Sequence, residues 1–140
     1  MLRMISLLGC LLLLTISLGA PSALAVNKVL SLDGDDYVEI SENPIFDITE
    51  QITMEAWVNP NSFGDQKIVS KRPAYVIAIL KKKAETEIFT DGGSHDTRVP
   101  GGTILQAGRW YHITGTYDGQ TIKTYVNGQL DRFTEYSGSI

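Results

Sequence analysis

The densest group of hard oxygen donors in the chain is LDGDDY, in which Asp33, Asp35 and Asp36 fall around Gly34. Calcium takes about six to eight oxygens from carboxylates, carbonyls and water, and a glycine-containing acidic turn offers several in a small volume. The spacing is not that of an EF-hand loop, because no glutamate stands at the offset that closes one. Asp33 and Asp36 are therefore the candidate calcium ligands, set against a plain turn in which aspartates bond nearby backbone amides. A second group, Asp91, His95 and Asp96 in DGGSHD, has the residue types for zinc or acid–base chemistry. It lacks regular ligand spacing and reads as an exposed loop able to rim a binding site.

Hydrolysis of a glycosidic bond with retention needs two carboxylates about 5–5.5 Å apart. Residues i and i+2 of a strand share a face, so such a pair belongs on one strand. Glu55 in TMEAW stands alone, and Glu85 and Glu87 in AETEI have no third acid in step. No serine or cysteine occupies a nucleophile motif either, so the chain reads as non-catalytic. Sugar binding asks for something different: an aromatic ring to meet the apolar face of the sugar, with polar groups to orient its hydroxyls. The candidates are Trp57, Tyr75, Phe89, His112 and Tyr125, with His95 in the loop.

Positioning these residues is the work of short β-type runs. Residues 1–25 are set aside first: one early cation (Arg3), an apolar run from Ile5 to Leu18, a Gly-Ala-Pro break, and Ala23 and Ala25 at a small-residue cleavage site. This is the layout of a secretory signal peptide, and its apolar run is shorter than the ~20 residues that span a bilayer. Cys10, the only cysteine, would leave with it, so no disulfide holds the exported domain at 26–140. Losing Arg3 takes the basic count from 12 to 11 against 16 acidic residues, a net charge of −5. That balance argues against a nucleic-acid partner.

Beyond Ala25 no stretch carries a helical period. The expected strands are Lys28–Leu32, Tyr37–Ile40, Ile52–Asn59, Lys67–Ser70, Tyr75–Leu80, Glu87–Thr90, Trp110–Tyr117 and Thr121–Asn127, separated by turn-rich stretches. The lysines of KKKAET read as a solvated hairpin loop. Many short strands at this spacing predict an all-β, two-sheet antiparallel sandwich. In YDGQTIKTYVNGQL, a two-residue loop at Asp118-Gly119 would pair Tyr117 with Gln120, Ile113 with Thr124 and Tyr111 with Val126. One face then carries Tyr111, Ile113, Gly115, Tyr117, Ile122 and Val126, which is a core face; the other carries His112, Thr114, Thr116, Thr121, Lys123, Trp110 and Tyr125. ITMEAWVNP alternates likewise, with Ile52, Met54, Ala56 and Val58 on one side and Thr53, Glu55 and Trp57 on the other.

Four phrases in order, LSLDGDDYVEI, ITMEAWVNP, KIVSK and GRWYHITGTYDGQTIKTYVNGQL, resemble the LamG-like jelly-roll domains of the concanavalin A-like lectin and glucanase superfamily. The resemblance implies a jelly roll of two face-to-face sheets in exported proteins that bind glycans or extracellular proteins, often with calcium. It implies that Trp110 and Tyr125 pack in a framework hairpin, that His112 is a framework residue, and that calcium uses the acidic turn together with an aspartate of a closing strand. The sequence ends at DRFTEYSGSI without the closing phrase, which leads to the expectation that a partner chain or a downstream segment completes the sheet. The reading is a secreted, non-catalytic binding module. The alternatives are a structural or adhesion spacer, or a remnant of a larger surface protein.

Overall fold

The computed structural model describes residues 28–33 and 35–140. The signal peptide expected at 1–25 lies outside them. The chain divides into two compact units, Met1–Ile40 and Ser41–Ile140. In the first, the described residues form no helix or strand, only a bend at Asp35. The strands expected at Lys28–Leu32 and Tyr37–Ile40 are thus not formed. Neither run pairs with another described strand, and extended backbone becomes a strand only when a neighbour takes up its amide and carbonyl groups.

The second unit is an antiparallel sandwich of two four-stranded sheets. Its strands are β1 (Ile52–Val58), β2 (Gln66–Lys71), β3 (Tyr75–Leu80), β4 (Lys83–Thr90), β5 (His95–Pro100), β6 (Tyr111–Tyr117), β7 (Thr121–Val126) and β8 (Gln129–Glu135). The first sheet has the order β1-β6-β7-β8 and the second β2-β3-β4-β5. Across the interior β4 faces β6 and β7, while β5 faces β7 and β8. Among the described residues no helix is long and apolar enough to cross a membrane.

The inward faces follow from the alternation of the strands. Ile52, Met54, Tyr117 and Ile122 of the first sheet meet Tyr75, Ile77, Ile88 and Val99 of the second, and Tyr111, Ile113 and Val126 pack with Ile79, Ala84 and Leu105 in a second cluster. Thr124 and Thr86 are polar residues within this interior; the Thr124 hydroxyl oxygen lies 2.8 Å from that of Thr86 and 3.1 Å from the Val99 carbonyl. This satisfies a group that would otherwise be costly to bury.

Three hairpin turns set the registers. Asn127-Gly128 joins β7 to β8 as a two-residue loop with both residues at positive φ, 53° and 76°, the conformation in which Asn-Gly is favoured. Lys81-Lys82 turns β3 into β4 with the same backbone, φ 51° and 67°. The β6–β7 turn differs from the sequence expectation. Tyr117 pairs with Ile122 and Ile113 with Val126, so the loop holds four residues and the register is displaced by two. The cause is Asp118, whose Oδ1 accepts from the amides of Gln120 and Thr121 at 3.0 and 2.7 Å and widens the turn. A displacement of two preserves parity, so every face assignment in this hairpin survives.

Candidate functional site

Trp57, Glu55, His112, Thr114 and Tyr125 all fall on the outer face of the first sheet. Cross-strand pairing sorts that face into rows. Trp57 stands beside His112; Glu55, Thr114, Tyr125 and Leu130 form the next row; Thr53, Thr116, Lys123 and Phe133 form the third. Directly opposed residues share a face, so Trp57, Tyr125 and Phe133 descend diagonally across it.

The first row is the most ordered. The Trp57 indole is 65% exposed and stacks on the His112 imidazole, with ring centroids 5.1 Å apart and planes inclined by 30°. His112 Nε2 lies 3.4 Å from Glu55 Oε2, which gives the imidazole a polar partner on the side of the second row. The backbone beneath is fixed by Asn127, whose Oδ1 accepts from the His112 amide at 2.9 Å while its own amide donates to the His112 carbonyl at 2.8 Å. A large aromatic surface is thus held open to solvent by a neighbouring ring, with a carboxylate, threonine hydroxyls and a tyrosine alongside. Such a mixture can stack on one face of a sugar ring and hydrogen-bond to its edges.

Leu130 and Phe133 stand on β8, which is not among the strands expected from the sequence. They lie three residues apart, which would put them on opposite faces of a regular strand. A bulge reconciles them: Tyr125 pairs with Leu130 and Thr124 with Arg132, leaving Asp131 as the extra residue. Trp110, expected to pack in the framework, is instead half-exposed just ahead of β6.

Other expected residues lie elsewhere. Tyr75 is buried at 5% exposure in the core, its hydroxyl donating to the Phe46 carbonyl at 3.0 Å, and burial raises its pKa. It points inward because YVIAIL is apolar on both sides, so its period reveals no face. Phe89 is buried beneath the Arg72 guanidinium, 5.1 Å from its ring centroid. His95 does not lie in a free loop. It opens β5, exposed, with Nδ1 3.3 Å from Asp91 Oδ2, while the neighbouring Asp96 turns toward Arg98 at 3.5 Å. Asp91, His95 and Asp96 therefore do not converge on one point.

Glu85 and Glu87 share the outer face of the second sheet and are almost fully buried. Glu87 lies between two guanidinium groups, Arg72 Nη2 at 2.6 Å and Arg98 Nε at 2.8 Å. The second contact is a charge contact rather than an aligned hydrogen bond. Glu85 has no such clamp. Burial is the main cause that pushes its pKa up, only partly countered by the positive charge of Arg98.

In the first unit the carboxylate oxygens of Asp33, Asp35 and Asp36 lie within 4.8 Å of one another, all on exposed residues. The Asp33 amide donates to Asp36 Oδ2 at 3.2 Å. A proton shared with the Asp33 side chain first, and the hydrogen bond from the Asp33 amide second, hold the Asp36 carboxyl below its usual range. Three convergent carboxylates suit a hard cation in ligand type and supply part of its oxygen shell.

A laminin G family model, described as concanavalin A-like lectin/glucanases superfamily, matches residues 32–140. Among solved structures, a candidate carbohydrate binding protein from Bacteroides ovatus ATCC 8483 is similar at 23% identity with a TM-score of 0.52, covering 62% of this chain and 26% of that one. The binding domain of Paraclostridial Mosquitocidal Protein 1 aligns at 12% identity with a TM-score of 0.47, covering 64% of this chain and 28% of that one. This chain therefore spans about a quarter of the length of each of those two chains. No curated protein matches the sequence.

Proposed function

Because the chain belongs to the concanavalin A-like lectin/glucanase superfamily, we propose that it is an exported, non-catalytic module that binds carbohydrate on the outer face of its first sheet. The observation that carries this reading is the Trp57 indole, two-thirds exposed yet held in place by the His112 ring. An exposed tryptophan forfeits the benefit of burial, and a partner that covers it recovers that benefit. The carbohydrate binding named for the B. ovatus protein supports the ligand class. Export is supported by the signal-like layout of residues 1–25. The non-catalytic reading rests on Glu85 and Glu87: one is clamped between arginines and the other buried beside it, so neither is presented for chemistry.

The test is affinity electrophoresis of the purified protein through gels containing a panel of polysaccharides. Retardation by at least one of them is expected, and Trp57→Ala is expected to weaken it by about tenfold or more, equivalent to ~1.4 kcal/mol, with the melting midpoint unchanged. Retardation that survives Trp57→Ala would move the site elsewhere, and no retardation by any polysaccharide would overturn the reading.

Calcium at Asp33 and Asp36, with Asp35 beside them, belongs to the same proposal. Its support is the convergence of the three carboxylates. Isothermal titration with calcium chloride is expected to give a dissociation constant of about 10⁻⁴–10⁻³ M, the range of extracellular modules. The Asp33→Asn, Asp36→Asn variant is expected to give no heat, and an unchanged titration in that variant would remove these residues as ligands.

A further inference from the structure

Where the edge strands β5 and β8 lie side by side, the two sheets leave an open groove of about 360 Å³. Lys83, Arg98 and Arg132 line it together with Phe133, and no acidic residue does. The groove is thus lined by positive charge in a chain whose formal net charge is −4.

The positive charge is only partly spent within the protein. Arg98 is engaged by Glu87 and Asp96, whereas Lys83 and Arg132 make no ion pair among the described residues. Its sequence neighbour Asp131 does not pair with Arg132, because its carboxylate is held in the adjoining loop. There it accepts from the Gly102 amide at 2.9 Å, the Thr103 amide at 3.0 Å and the Thr103 hydroxyl at 2.6 Å. Arg132 therefore makes no ion pair among the described residues at the lip of the groove, although its guanidinium and the Asp131 carboxylate both flank Gly102.

Phe133 joins this groove to the aromatic face. It ends the diagonal that begins at Trp57 and runs through Tyr125, and it also lines the groove. Three strand spacings across and two residue pairs along make that path ~20 Å by sheet geometry, long enough for several sugar units in a row.

We propose that the groove takes the acid group of an anionic polysaccharide, a uronate or a sulfated glycan, whose neighbouring sugar units lie along the aromatic diagonal. The inference rests on the carbohydrate reading above and names the ligand class. A guanidinium presents paired N–H donors that match a carboxylate or sulfate, and Lys83 adds a second, point-like positive charge.

The test uses the purified protein with two matched pairs of polymers: polygalacturonate with its fully methyl-esterified form, and dextran sulfate with dextran. Polyphosphate serves as an anion without sugar. In at least one pair the charged polymer is expected to bind about tenfold or more tighter than its neutral partner, with a gap that narrows as salt rises from 0.05 to about 0.5 M. Lys83→Gln, Arg132→Gln is expected to abolish the gap while leaving neutral binding and the melting midpoint in place. Trp57→Ala is expected to weaken charged and neutral sugars alike. Equal affinity within both pairs, a preference that survives the double substitution, or polyphosphate binding as tight as that of the charged sugars would overturn the inference. Loss of the charge preference on Lys83→Gln, Arg132→Gln, with all binding indifferent to Trp57→Ala, would instead keep the groove and remove the platform.

Discussion

At Gly115 the two sheets approach so closely that a Cβ built there would lie 2.5 Å from Ile77 Cγ2 and 2.6 Å from Thr86 Oγ1. Both neighbours belong to the facing sheet, and Thr86 is tied to Thr124 across the interior, so neither can retreat cheaply. Gly115→Ala is accordingly expected to destabilise the domain by about 1–3 kcal/mol, the cost of overpacking a filled core. At ~4–8 °C of melting midpoint per kcal/mol for a domain of this size, the shift is easily measured, and an unmoved midpoint would mean that the sheets can separate locally. Trp57 is the complement at the same scale. Its ring touches His112 but little of it is buried, so removing it should change binding and not stability. The contrast separates residues that hold the sandwich together from those that it displays.

Elements differ in how much of themselves the sequence reveals, and the reason is where their apolar side chains point. β1, β6 and β7 alternate cleanly, so their inward and outward faces, including the placement of Trp57, His112 and Tyr125, are legible without coordinates. β5 buries only Val99 among HDTRVP, which leaves no alternation to detect. β8 hides its face behind the bulge at Asp131, so Leu130 and Phe133 could not be read as partners of Tyr125 and Lys123. In the β6–β7 turn Asp-Gly signalled a hairpin correctly but not its length, because a side chain decided the register. The Lys81-Lys82 turn carries an element-scale prediction. It adopts the same positive-φ pair as Asn127-Gly128 with residues that pay for it sterically. Lys81→Asn with Lys82→Gly is expected to stabilise the β3–β4 hairpin by about 0.5–1 kcal/mol. Chemical denaturation would show a higher midpoint at unchanged slope, and a lower one would mean that the Lys82 ammonium over the Phe63 ring, 5.8 Å away, outweighs the backbone gain.

Across the whole molecule the two outer faces are used in opposite ways. The outer face of the first sheet presents aromatic rings, hydroxyls and the loosely held Glu55 carboxylate, whereas that of the second keeps Glu85 and Glu87 buried, Glu87 under arginines of its own. The second face should therefore be felt in stability and its dependence on pH rather than in binding. Glu85 is the group that shows this, since burial raises its pKa in the folded state above the ordinary 4.5. Below about pH 4.5 the carboxyl is protonated in both states and costs little. As pH rises the unfolded chain ionises first, the folded state binds more protons, and stability falls until the folded-state pKa is passed. Glu85→Gln keeps the shape and removes the titration. Denaturation from pH 4 to pH 7 should therefore show the variant and the parent nearly equal at the acid end and the variant progressively more stable toward neutrality. Asp118 does not confuse the comparison. The amides of Gln120 and Thr121, and then Lys123, hold its carboxyl below 3.8, so its contribution is lost only as pH falls through a more acid range and is common to both proteins. Parallel curves for the two would show that Glu85 is ionised in the folded state at little cost, and that the positive charge of Arg98, rather than burial, governs the face.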